Sequence, residues 1–170
     1  MHVRRIEQKD LARVSYICIK AFMHSVAPGL SNEGIDTFRG VAAADSFSNR
    51  IKNDNTILVA EDSEKVQGVI ELKDGRHVAM LFVNPESQNQ GIGRELMSEV
   101  MVYAKTKTIT VSASLNSVSA YLKYGFVCSG EPDEKSGLIY QPMELELNKL
   151  SKRTRKQRAP LLDALEIKRK

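Results

Sequence analysis

Residues 80–103 contain a polar turn whose glycines can bind a phosphorylated group. An apolar run ends at Asn84 and Pro85, the turn carries Gly91 and Gly93, and an amphipathic helical pattern begins directly after it. The first N–H groups of a helix have no intrahelical partner and lie at the positive end of its dipole, so this order predicts an anion site. Spacing excludes two other phosphate loops, because GxxxxGK[ST] is absent and the third glycine of GxGxxG is missing.

Two blocks of this sequence resemble motifs of one enzyme family, the GCN5-related N-acetyltransferases. The turn reads Gln88-x-x-Gly91-x-Gly93, which resembles the family motif Q/R-x-x-G-x-G/A. The family's second block, A-S-x-x-A-V-x-x-Y-x-x-x-G-F, is matched by Ala113-Ser114-x-x-Ser117-Val118-x-x-Tyr121-x-x-x-Gly125-Phe126, with serine replacing one alanine. The resemblance covers residues 1–147 and is strongest from residue 80 onward.

The resemblance implies a fold and a co-substrate. The implied fold is α/β: a mixed, mostly antiparallel central sheet of about six or seven strands with a splayed parallel pair and helices on both faces. The co-substrate is acetyl-CoA, whose pyrophosphate the turn's backbone amides would hold, and no metal is implied. The residues expected to contact acetyl-CoA are Phe82, Val83, Gln88, Asn89, Gln90, Gly91, Ile92, Gly93, Arg94, Ser114, Ser117 and Tyr121.

Acetyl transfer to an amine needs an uncharged amine, a polarised thioester carbonyl and a proton for the departing thiolate. Tyr121 is the candidate proton donor, and its alternative role is that of a half-buried aromatic on a packing helix. A phenol titrates near pH ~10 and a thiol near ~8.5, so this transfer is uphill by about 2 kcal/mol unless the site stabilises the phenolate. The resemblance implies that a β-bulge frees a backbone N–H of Phe82 or Val83 to polarise the carbonyl.

Two residues are candidates for the general base. His77 has a suitable ordinary pKa, but a lone histidine after a turn is also typical of a strand end. Glu71 is the second candidate, and an acidic residue near the end of a hairpin strand is often solvated. A chain of water molecules with no single base is the third alternative.

Hydrophobic periodicity predicts the elements that must position these residues. The predicted order is β-α-α-β-β-β-α-β-α-β, with two short helices around Gly40 in place of one long helix. We expect strands at 2–7, 56–60, 66–72, 77–83, 108–113, from 126 and at 139–147, and helices after Asp10, from 92 to about 104 and at 117–124.

The resemblance implies that two loops determine which acetyl acceptor binds. These loops are residues 23–34 and 131–137. The second loop contains Glu131, Asp133 and Glu134, opposed only by Lys135. This charge would attract an amine or a cationic acceptor. The alternative is an ordinary solvated acidic loop.

Composition predicts one globular domain at residues 1–147 followed by a basic tail. The chain has 170 residues, 42% of them hydrophobic, which is enough for one buried core. Cys18 and Cys128 form no CxxC pair and the three histidines have no metal-ligand spacing, so we expect a reducing compartment and no structural metal. The first ten residues lack the apolar core of a signal peptide and no apolar run spans a membrane, so we expect a soluble, cytoplasmic protein.

The tail, residues 148–170, carries nine Lys or Arg against two acidic residues, a balance of +7. Since the whole chain carries +4, residues 1–147 carry −3. Such a run binds nucleic acid or anionic surfaces weakly, or stays disordered. Pro160 begins a short apolar segment that can form a helix against the body or against a partner subunit, so a homodimer is one alternative.

Three functions are therefore open from the sequence. The leading one is an N-acetyltransferase that moves acetyl from acetyl-CoA to a primary amine of a small molecule or peptide by direct attack in a ternary complex. The second is a non-catalytic acyl-CoA-binding module. The third is a nucleic-acid-associated acetyltransferase directed by the basic tail.

Overall fold

The computed structural model describes residues 1–147. Eight strands and five α-helices make up this part, and the tail predictions, including the helix after Pro160, lie outside it. The strands are β1 His2–Arg5, β2 Asn55–Asp62, β3 Lys65–Lys73, β4 His77–Val83, β5 Thr108–Ala113, β6 Val127–Cys128, β7 Asp133–Lys135 and β8 Leu138–Glu146. The helices are α1 Leu11–Ser25, α2 Asn32–Val41, α3 Ala44–Ile51, α4 Ile92–Val100 and α5 Val118–Lys123.

The strands form one sheet in the order β1-β2-β3-β4-β5-β8-β6, with β7 paired to β8 outside this path. Every pairing is antiparallel except that of β4 with β5. This agrees with the predicted mixed, mostly antiparallel sheet. Within residues 1–147 no helix is long and apolar enough to cross a membrane.

The helices cover both faces of the sheet. Along β2 the alternating side chains divide between two cores, since Leu58 packs with α4 and α5 while Ile57 and Val59 pack with α1, α2 and α3. Strands buried on both faces lose the simple alternation of a half-exposed strand. The two short helices predicted around Gly40 are α2 and α3.

One strand appears where the sequence predicts only a polar loop. β7 has three exposed, charged residues, so it carries no hydrophobic pattern. It forms because Ser136 and Gly137 both have positive φ, 52° and 74°, which closes a tight hairpin onto β8. Helix α4 is also shorter than predicted, since its last turn, Met101–Tyr103, is a 3-10 turn.

Candidate active site

The parallel strands β4 and β5 separate along their length, and this separation opens the principal cavity. They pair only at His77 with Thr110 and at Val78 with Val111. Beyond these two pairs, the carboxyl half of β4 and the end of β5 line a cavity of ≈ 1090 Å³. The predicted splayed pair is therefore present, and it places both sequence blocks on one cavity.

The glycine turn forms one wall of this cavity at the start of α4. Asn89 and Gly91 have left-handed backbone conformations, with φ of 60° and 83°. The first intrahelical bond runs from the N–H of Glu95 to the carbonyl of Gly91, at 3.0 Å. The N–H groups of Ile92 and Gly93 precede that bond and no side chain caps the helix, so these donors fit a phosphate group.

Gly93 lies in close contact with the hydroxyl of Tyr124. A Cβ at this position would lie 2.7 Å from the hydroxyl oxygen of Tyr124, closer than side-chain atoms pack. Tyr124 lies at the end of α5, and its ring and that of Tyr121 are perpendicular, in a T-shaped contact with a centroid distance of 5.9 Å. The two motifs thus meet through Tyr124, which sequence reasoning did not single out although it stands three residues after Tyr121 on the same helix.

The backbone of β4 turns one of the two predicted amides toward the cavity. The N–H of Asn84 donates to Gln67 on the β3 side, at 2.7 Å. Because successive backbone groups of a strand alternate in direction, the N–H of Val83 points away from β3, where the sheet is open. The Gln88 side-chain amide donates to the Val83 carbonyl at 3.4 Å from this side. Of the two candidates, only the N–H of Val83 is directed into the opening.

The predicted position of the β-bulge is wrong. Met80 pairs with Glu71 and Val78 pairs with Leu72, which leaves Ala79 as the extra residue on β4. Phe82 and Val83 instead keep regular pairing with β3. The opening beside Val83 comes from the loss of pairing to β5 and needs no bulge there.

Tyr121 lines the cavity from α5 and is almost fully buried, with 6% of its surface exposed. Its ring contacts Phe126 edge to face at a centroid distance of 5.3 Å. Burial raises the pKa of Tyr121 well above that of a free phenol. A full proton transfer from this hydroxyl is therefore more costly than the sequence suggested, whereas hydrogen-bond donation from the neutral phenol is not.

Neither predicted base lines the cavity. Glu71 is 1% exposed, and its carboxylate accepts hydrogen bonds from Arg50 at 3.0 Å and from Asn55 at 2.6 Å. His77 lies at the opposite end of β4, where a ring nitrogen is 2.8 Å from the Thr110 hydroxyl. Burial, with Lys73 nearby, lowers its pKa. The structure therefore does not bring either predicted base to the wall of this cavity.

The two loops that the resemblance implies for the choice of acceptor both contribute residues to the cavity wall. Gly34 at the start of α2 touches Gly137 of the β7–β8 turn so closely that a Cβ on Gly34 would lie 2.1 Å from the Gly137 carbonyl oxygen. The Thr37 hydroxyl donates to the Ser136 carbonyl at 3.0 Å. The loops are therefore held together through backbone contact.

The cavity brings together eleven of the twelve predicted cofactor residues: Phe82, Val83, Gln88, Asn89, Gly91, Ile92, Gly93, Arg94, Ser114, Ser117 and Tyr121. Gln90 is exposed and does not line it. The Ser114 hydroxyl donates to Ser117 at 2.9 Å, which fixes the turn before α5. Asn116, which was not predicted, also lines the cavity and donates to the carbonyl of Ser25 at the end of α1.

A mixed sheet with a splayed parallel pair, and a glycine turn opening a helix beside that splay, defines an acetyltransferase fold. The chain belongs to the family described as acetyltransferase (GNAT) domain, whose model matches residues 26–147. No protein of curated function matches the chain in sequence.

Solved structures share this fold over most of their length. A GCN5-related N-acetyltransferase from Rhodopseudomonas palustris is 21% identical, with a TM-score of 0.75 over 86% of this chain and 95% of that one. The PaiA N-acetyltransferase from Thermoplasma acidophilum, in complex with coenzyme A, is 25% identical, with a TM-score of 0.70 over 86% and 98%. YncA from Salmonella typhimurium, with acetyl-CoA, is 22% identical, with a TM-score of 0.64 over 88% and 95%.

Proposed function

We propose that the protein transfers an acetyl group from acetyl-CoA to a primary amine by direct attack in a ternary complex. The observation that carries the proposal is that the glycine turn before α4 and the buried hydroxyl of Tyr121 line one cavity. The family supports acetyl transfer in general. Coenzyme A in the Thermoplasma acidophilum enzyme supports the same donor here.

The turn and the first residues of α4 would hold the pyrophosphate of acetyl-CoA. The N–H groups of Ile92 and Gly93 supply donors at the positive end of the helix. The exposed Arg94 adds a cation at the same wall. We propose that the rest of acetyl-CoA contacts Gln88, Asn89, Ser114 and Ser117.

The N–H of Val83 would donate to the thioester carbonyl oxygen, where negative charge develops as the amine attacks. A new C–N bond forms, the C–S bond breaks, the nitrogen loses one proton and the thiolate gains one. Tyr121 donates a hydrogen bond to the sulfur and keeps its proton, because its raised pKa disfavours the phenolate. The proton lost by nitrogen goes to water, and the departing thiolate takes its proton from water.

A thiol-release assay with mass spectrometry of the amine tests the proposal. We expect one thiol for each acetylated amine, and initial rates that intersect when both substrates are varied. Binding of acetyl-CoA by calorimetry, without thiol release from any amine, would instead identify a non-catalytic acyl-CoA-binding module.

The Tyr121→Phe variant tests the hydrogen bond to the sulfur. We expect kcat to fall by about 10- to 100-fold, because a hydrogen bond to a charged group contributes about 1.5–3 kcal/mol, with the Kd for acetyl-CoA unchanged within about threefold. Tyr103→Phe is the matched control, because Tyr103 packs against Arg5 away from the cavity. Wild-type turnover in Tyr121→Phe would remove this residue from the mechanism.

A further inference from the structure

Within residues 1–147, no side chain that lines the cavity can remove a proton from an ammonium group near neutral pH. Among the described residues that line it, none is Asp, Glu or His. Its ionisable side chains, taken from every wall, are Arg94, Lys123, Lys135, Tyr121, Tyr124 and Tyr140. The lining is therefore basic, so a protonated amine meets neither a base nor a counter-ion there.

An appreciable fraction of the acceptor amine must therefore be unprotonated in solution before the acceptor enters this cavity. At pH 7 about one tenth of a peptide α-amine is neutral, since its pKa is about 7.7–8.0. For a lysine ε-amine, with a pKa of about 10.4, the neutral fraction is about 0.04%. At pH 7 the neutral, reactive fraction of the α-amine is therefore about 300 times that of the lysine ε-amine, before either amine contacts the protein.

The far end of the cavity, beyond the glycine turn, is apolar and aromatic. Phe22 and Phe38 stack in parallel at a centroid distance of 3.9 Å, and Phe38 meets Phe82 of β4 at 5.2 Å. Val26 and Leu138 line the same end from the two loops. This wall suits an aliphatic or aromatic side chain beside the reacting nitrogen.

The acidic residues of the β7 region do not change this charge pattern. Glu131, Asp133 and Glu134 are exposed, and none of them lines the cavity. The Asp133 carboxylate accepts a hydrogen bond from the Tyr140 hydroxyl at 3.3 Å, at the rim. Lys135, in contrast, is a lining residue. The predicted attraction of a cationic acceptor by this loop therefore has no counterpart inside the cavity.

We infer that the acceptor is an α-amino group next to an apolar side chain, and that it enters the cavity as the neutral amine. This inference rests on the proposed function and narrows its substrate class. A peptide N-terminus has such an amine. A free amino acid is the alternative source: its own carboxylate raises the pKa of its amine, so less of it is neutral at pH 7, and that carboxylate would pair with Lys135.

Acceptor competition at fixed saturating acetyl-CoA tests the inference. Thiol release at pH 7 is compared for leucinamide, glycinamide and an Nα-blocked lysine amide that offers only its ε-amine. We expect kcat/KM for leucinamide to exceed that for glycinamide by about 10–100-fold, because the apolar wall is filled. We expect it to exceed that for the blocked lysine by about 100-fold or more.

The pH profile provides a second readout. With leucinamide, kcat/KM should rise tenfold per pH unit up to the pKa of its amine and then level off. The break should move when an acceptor amine of different pKa replaces leucinamide. A break that stays at one pH for all acceptors would reveal a base on the enzyme and overturn the inference.

Two substrates and two variants distinguish the two possible acceptors and test the roles of Lys135 and Asp133. A peptide that begins with leucine and free leucine are compared in wild type and in Lys135→Gln. A loss of activity confined to free leucine in Lys135→Gln assigns the amino acid, and preference for the peptide in both proteins assigns the N-terminus. Asp133→Asn, which removes an exposed charge from the same strand, is the control, and it should change the preference for leucinamide over blocked lysine by less than about twofold.

The inference and the proposed function fail in different ways. Efficient acetylation of the blocked lysine at pH 7, equal to that of leucinamide, overturns the inference and leaves acetyl transfer standing. A decrease of more than tenfold in blocked-lysine acetylation in Asp133→Asn overturns it as well, because the rim would then recruit cations. Absence of thiol release with every amine overturns both.

Discussion

Replacing Glu71 by glutamine distinguishes a structural carboxylate from a catalytic one. Glu71 is 1% exposed on β3 and accepts hydrogen bonds from Arg50 and Asn55. Glutamine keeps the shape but removes the charge, and it turns one acceptor into an NH2 group that faces these two donors. The substitution therefore leaves a buried cation poorly paired.

The magnitude follows from the burial of the pair. Removing one member of a buried ion pair costs about 3–5 kcal/mol. The Arg50 side chain is 22% exposed, so water screens part of its charge. We expect a loss of about 2–4 kcal/mol in the free energy of unfolding, which lowers Tm by about 5–15 °C in a domain of this size.

Thermal unfolding followed by circular dichroism measures the loss, and thiol release well below both Tm values measures turnover. We expect kcat per folded molecule within about twofold of wild type. Glu131→Gln is the matched control. Because Glu131 is exposed, the Tm of this variant should equal that of wild type. The reasoning is refuted if Glu71→Gln keeps the wild-type Tm while kcat falls by about 10²-fold, as expected for a general base.

Three further substitutions test the glycine turn, the acceptor wall and one ion pair. Gly91→Ala puts a side chain on a left-handed residue with φ of 83°, so calorimetry should show acetyl-CoA binding weakened by about tenfold. Gly34→Ala forces α2 away from the β7–β8 turn and should raise the acceptor KM without changing acetyl-CoA affinity. Gly40→Ala, in open space on the same helix, is its control and should not lower Tm. Burial opposes ionisation of Asp10, but its hydrogen bonds with Arg4 outweigh this and lower its pKa, so its stabilisation is present above about pH 4 and lost on further acidification. Chemical denaturation of Asp10→Asn should therefore show a weaker dependence of stability on pH below 4 than wild type.

The sequence predicts the cofactor half of the site because its determinants are local. Asn84 and Pro85 end a strand, and Gly91 and Gly93 open a helix, all within a few residues. The left-handed Gly91 and the start of α4 at Ile92 confirm the predicted turn and helix, and their contact with a cofactor stays a prediction. The order of strands and helices likewise follows from runs of apolar residues long enough to show a period.

The acceptor half depends on contacts between distant residues and could not be predicted. The approach of Gly34 to Gly137 joins two loops far apart in the chain, and no local pattern encodes it. Strand β7 was not predicted, because its three charged residues are also typical of a solvated loop. The burial of Glu71 was not predicted because an acidic residue in a strand is usually exposed, whereas Arg50 of α3 makes its burial tolerable.

The most direct test of acetyl transfer is the mass of an amine acceptor after incubation with acetyl-CoA and the purified protein. Leucinamide is the acceptor of choice, and isotopically labelled acetyl identifies the donor. We expect one labelled acetyl group on the α-nitrogen, with one equivalent of thiol released and no product when the protein is omitted. The account would be contradicted if neither leucinamide nor any other primary amine in a panel were acetylated while calorimetry showed tight binding of acetyl-CoA.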